Sequence, residues 1–79
     1  MWVLSVSTRK YLINMKENGI LTIININAGS KAHRFLADLG IHTGEKIKVI
    51  KNDSGPVVIE VKGTKVAIGR GLAAKIEVS

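Results

Sequence analysis

Apolar and polar residues recur along this chain with two different periods, and the change from one period to the other marks out its elements. From Ile20 to Ile26 a run of Ile, Leu and Thr is strongly β-forming, and it ends in Asn27-Ala28-Gly29, a loop composition. The period then lengthens. Ala32, Phe35, Leu36 and Leu39 fall at three- and four-residue spacing, which predicts a short amphipathic helix over about residues 31–39. Ser30 stands at its N-cap position, and Gly40 supplies a left-handed exit. After the turn Ile41-His42-Thr43-Gly44 the period falls to two. Ile47 and Val49, then Val57, Ile59 and Val61, then Val66 and Ile68, then Ile76 and Val78 alternate with Lys, Glu or small residues. Each set predicts a strand with one apolar face, over 45–51, 56–62, 66–68 and 75–78. Asn52-Asp53-Ser54-Gly55 reads as a loop, Pro56 opens the following strand where a missing N–H does least damage, and Gly63-Thr64 reads as a tight hairpin. Arg70 to Ala74 fits one short helical turn.

The pattern predicts a mainly β protein, because short strands of this kind cannot all bury their apolar faces in a flat sheet. About five strands should curl into a small barrel, with one short helix between the first and second barrel strands covering an open end. Phe35 and Leu39 are the expected plug, each stabilising by about 1.5 to 3 kcal/mol when buried. The barrel domain is expected over 12–79, with 1–11 as an N-terminal extension. In and beside that extension, Trp2 to Val6 fits a strand, and Thr8 to Lys16 fits a helical turn carrying Tyr11, Leu12 and Met15.

Composition narrows the setting. At 79 residues the chain is one domain, and with no cysteine it has no disulfide to brace it. The absence of cysteine fits a reducing compartment. Trp2-Val3-Leu4 is broken by Ser5 and Ser7 and followed by Arg9 and Lys10, which is not the order of a signal peptide, and no apolar run approaches the roughly 18 residues of a membrane span. A soluble cytoplasmic protein is expected. The net charge of +6, from twelve Lys and Arg against six Asp and Glu, invites a nucleic-acid reading. However, Lys46, Lys48, Lys51, Lys62, Lys65 and Lys75 mostly occupy alternate strand positions, where a half-buried sheet places solvated side chains anyway. Base-stacking platforms are also scarce, since Trp2, Tyr11 and Phe35 are the aromatic residues and Phe35 is expected in the core.

Reactive constellations are equally sparse. No acid pair at a defined spacing and no activated Ser or Thr motif stands out, so no enzymatic activity and no cofactor are expected. Gly69-Arg70-Gly71-Leu72-Ala73-Ala74 matches a dinucleotide fingerprint, but only five residues follow it where a βαβ unit needs about 30. His33 and His42, with Asp38 or Glu45, are weak candidates for a metal site, and two solvated surface histidines are the favoured reading.

Three blocks carry a resemblance: Leu36-Ala-Asp-Leu-Gly-Ile-His-Thr-Gly44, Gly55-Pro-Val-Val-Ile-Glu-Val-Lys-Gly63 and Val66-Ala-Ile-Gly-Arg70. In this order they resemble the FeoA family of small SH3-like barrels. The resemblance implies a non-enzymatic accessory protein of bacterial ferrous iron uptake. It would act at the cytoplasmic face on FeoB, a membrane transporter with a GTP-binding domain, and modulate transport. Partner contacts are then expected around the helix, its following turn and the next loop, at His33, Arg34, His42, Asp53, Ser54, Pro56 and Arg70. The alternatives are a basic small-barrel nucleic-acid binder and a detached SH3-like domain of a metal-responsive repressor.

Overall fold

The strands follow the chain's period-two segments closely, and a single curved sheet collects them. A computed structural model describes residues 9–79, so the strand suggested at Trp2 to Val6 lies outside the described residues. In chain order the elements are β1 (Lys10–Tyr11), a 3-10 turn (Leu12–Asn14), β2 (Ile20–Ile26), α1 (Ser30–Asp38), β3 (Lys46–Lys51), β4 (Val57–Val61), β5 (Thr64–Ile68), α2 (Arg70–Ala73) and β6 (Ile76–Val78). The six strands form one sheet in the order β1-β6-β2-β3-β4-β5, with every neighbouring pair antiparallel. The strand β1 adds a sixth member to the expected five. Within the span where a helical turn was expected, Thr8 lies outside the described residues, Lys10 and Tyr11 pair with β6, and a 3-10 turn follows at Leu12–Asn14 with Leu12 fully buried.

β2 turns the corner of this sheet. Its first half, Ile20 to Thr22, pairs with β3, and its second half, Ile23 to Ile26, pairs with β6 across an irregularity between Ile23 and Asn25. The inward residues of β2 to β6 therefore meet in one cluster, joined by Leu12, Leu36, Ile41 and Ala73. No polar or charged side chain is buried among the described residues. The alternate positions Lys46, Lys48 and Lys65 are exposed, as the two-residue period requires.

Two expectations about α1 are corrected. Phe35 is 54% exposed and does not plug the core; Leu36, at 0%, takes that place, with Leu39 partly buried beside it. The reason lies in how the helix ends. Gly40 adopts φ +84°, its N–H donates to Ala37 O at 3.0 Å, and the Ile41 N–H donates to Leu36 O at 2.9 Å. These are the paired bonds of a Schellman motif. The motif folds Ile41 back against Leu36, both fully buried, and so turns Phe35 one flank away toward solvent. Ser30 is the first helical residue rather than the cap: Gly29 holds the N-cap position with no side-chain bond, and its carbonyl accepts the His33 N–H at 3.0 Å. The hairpin falls on Lys62-Gly63, one residue earlier than expected. Both have positive φ, 51° and 79°, and Val61 pairs with Thr64 across them. That is the type I′ geometry matching the twist of the flanking strands.

Candidate functional site

The seven candidate residues separate into two groups, attached to the two ends of β3. The first group surrounds α1. His33, Arg34 and Ala37 on the helix, Ile41, His42 and Thr43 in the following turn, and Ile26 at the end of β2 line an open cavity of about 420 Å³. Ile26 and Ile41 are buried and form its floor, while His33, Arg34, His42 and Thr43 are exposed at its rim. The Schellman turn builds this arrangement, because it brings the turn after Gly40 back beside the helix. A guanidinium, two imidazoles and a hydroxyl over an aliphatic floor suit a protein segment that inserts an aliphatic side chain and presents carboxylate or carbonyl oxygen at the rim.

A metal has less to hold here. His33 and His42 share the cavity, but Asp38 and Glu45 do not line it. Glu45 instead faces Lys62, with Oε2 3.6 Å from Nζ. Among the described residues, no group of three or more His, Cys, Asp or Glu side chains is placed to hold a metal ion.

The second group lies at the β3–β4 loop. Arg70, the first residue of α2, points its Nη1 into that loop and donates to Asn52 Oδ1 at 3.0 Å, to Gly55 O at 3.2 Å and to Asp53 O. Asn52 carries the tie further. Its Nδ2 donates to Ile13 O at 2.9 Å and Met15 O at 2.6 Å, and its backbone N–H donates to Glu17 Oε2 at 3.0 Å. One amide side chain thus joins three segments distant in sequence. Within the loop, Asp53 Oδ1 accepts the Gly55 N–H at 3.2 Å, and Oδ2 lies 3.7 Å from Lys51 Nζ. The Gly55 N–H, aided by the Lys51 ammonium, holds the Asp53 carboxyl below its ordinary pKa. Asp53, Ser54 and Pro56 remain exposed on the outside of this braced loop.

The Nη1 of Arg70 is therefore committed to the protein's own loop. The residue missed in the sequence was Asn52, which reads there only as one more turn former. Its single available signal was polarity directly after an alternating strand. Gly69 is the N-cap of the four-residue helix α2, which carries Gly71 and connects β5 to β6, two strands that do not pair with each other in a sheet whose neighbouring strands are all antiparallel.

Among the described residues, no helix is long and apolar enough to cross a membrane. The bent antiparallel sheet and the helix inserted after β2 define a small SH3-like module, with its two groups of exposed candidate residues at the ends of β3. A family model for the FeoA domain matches residues 10–79, and the chain belongs to the FeoA family, which is associated with ferrous iron transport. A curated relative from Methanocaldococcus jannaschii, provisionally named Fe(2+) transport protein A, is 49% identical over 63 residues, covering 80% of this chain and 77% of the relative. A crystal structure of an iron uptake regulatory protein (FeoA) superposes with a TM-score of 0.83 at 32% identity, over 90% of this chain and 96% of that one. A manganese-dependent transcriptional repressor shares the fold alone, with a TM-score of 0.81 at 19% identity over 95% of this chain and 43% of its own.

Proposed function

We propose that this protein is a non-enzymatic accessory factor of ferrous iron uptake that works in the cytoplasm, binding the cytoplasmic part of a FeoB-type transporter and modulating transport. The observation that carries this reading is the gathering of His33, Arg34 and His42 around one open cavity with a buried aliphatic floor, in a chain of the FeoA family. Asp53, Ser54 and Pro56 form the second contact, on a loop that Arg70 and Asn52 hold in shape before any partner arrives. Preorganisation of this kind lowers the ordering cost of association. Arg70 acts in it as a positioning residue.

The test is calorimetric titration of the purified soluble domain of the transporter into the full chain and into an Arg34→Ala/His42→Ala variant. Saturable binding, weakened about tenfold or more in the variant with unchanged melting, supports the reading. Absence of binding by the parent chain, or equal binding by the variant, refutes the cavity as the contact.

A further inference from the structure

The sheet has two ends, and they differ. At one end β1 is two residues long; at the other, β5 presents five residues with, among the described residues, a partner on one side only. Pairing across the two-residue turn fixes which backbone groups are free. Val61 and Thr64 flank the turn and form a hydrogen-bonded pair, so Ile59 with Val66 and Val57 with Ile68 do the same. Between them, Lys65 and Ala67 turn their N–H and C=O groups away from β4. Among the described residues, no backbone hydrogen bond joins β5 to any element other than β4. Two N–H donors and two carbonyl acceptors thus line an open edge.

Side chains around that edge specify what fits it. Across the outer face, the register places Lys48 beside Glu60 and Glu60 beside Lys65, a row of alternating sign that stops at Lys65. Lys65 is exposed and enters no ion pair among the described residues. The next position in such a row is an acidic one, since opposite charges facing each other across strands stabilise the pair and like charges oppose it. On the inner face, Val66 is 9% exposed, the highest value among the core side chains, and Ile68 is 1% exposed. Ala67, the other outward residue, offers little bulk against an approaching chain.

We propose that β5 is a strand-addition site for an extended acidic peptide segment of a partner protein. The segment bonds its backbone to Lys65 and Ala67, sets Asp or Glu opposite Lys65, and lays β-branched residues beside Val66 and Ile68. The site is separate from the α1 cavity and stands whether or not that cavity binds the transporter.

The experiment is an NMR titration of the full chain with the blocked hexapeptide acetyl-Val-Glu-Val-Glu-Val-Thr-amide, beside the same peptide with Lys in place of Glu. The Glu peptide shifts the Lys65 and Ala67 amide resonances and slows their hydrogen exchange, while the Lys peptide does neither. Ala67→Pro removes an N–H that β4 does not use, so the fold persists and affinity falls about tenfold. Lys65→Glu reverses the preference between the two peptides. Equal response to both peptides, or shifts confined to other elements, overturns the proposal. So does protection of the Lys65 and Ala67 amides before peptide is added: if it fades on dilution a second copy occupies the edge, and if it persists the chain covers the edge itself.

Discussion

Replacing Asn52 with alanine removes a side chain that ties the β3–β4 loop to both the 3-10 turn and α2. Three side-chain hydrogen bonds go with it: to Ile13 O, to Met15 O and from Arg70 Nη1. At about 1 kcal/mol net for each, and with water able to reach part of this half-buried site, the loss is about 2 to 3 kcal/mol. A 79-residue domain has a total stability of about 4 to 12 kcal/mol, so the variant gives up a large fraction. Urea unfolding followed by circular dichroism measures it directly. With a slope near 1 kcal/mol/M for a domain of this size, the midpoint falls by about 2 to 3 M while the slope stays unchanged. Asn52→Asp sharpens the test. It retains an acceptor for Arg70 but sets carboxylate oxygen against the carbonyls of Ile13 and Met15, so it is no more stable than the alanine variant. In a double-mutant cycle with Arg70→Ala, the coupling energy is at least about 0.5 kcal/mol, because the two side chains touch. A midpoint change below about 0.5 M for Asn52→Ala, or a stable Asn52→Asp, would refute the role assigned to this amide.

Other variants probe the remaining assignments. Leu36→Ala costs about 2 to 5 kcal/mol in chemical unfolding, whereas Phe35→Ala stays within about 0.5 kcal/mol, since only the first side chain is buried. Gly40→Ala, at φ +84°, destabilises by about 1 to 2 kcal/mol and loosens the α1 cavity, read as faster hydrogen exchange at the Ile41 amide. The Asp53 carboxyl, held low chiefly by the Gly55 N–H, steadies its loop above its unfolded-state pKa and loses that contribution as pH falls through its folded-state value. The Asp53 carboxyl carbon should therefore titrate by NMR below the ordinary aspartate range. Lys51→Ala should raise that midpoint only in part.

Local periodicity and special backbone positions were the legible parts of this chain. Ile20 to Ile26 is β-forming in composition and Val57 to Val61 alternates clearly, and both become strands with almost the expected bounds, while Gly40 and Gly63 sit at positive φ where the turns demand it. Phe35 misled because helical spacing alone defines a wide apolar stripe, and the buried side within it depends on where Ile41 returns after the helix. β1 escaped notice because two residues cannot show a period; its identity comes from pairing with β6, a partner more than sixty residues away. Of the candidate residues, His33, Arg34 and His42 share one cavity because helix and turn are adjacent in sequence. The bonds of Asn52 span separations of 35 to 39 residues on one side and 18 on the other, and no local pattern encodes them.

Mapping the transporter's soluble domain onto the isotope-labelled full chain by NMR bears most directly on the proposed function. The account predicts saturable shifts that cluster at His33, Arg34, Ala37, Ile41, His42 and Thr43, with a second cluster at residues 53–56. An unchanged spectrum at an excess of that domain, or shifts that avoid both ends of β3, would contradict it.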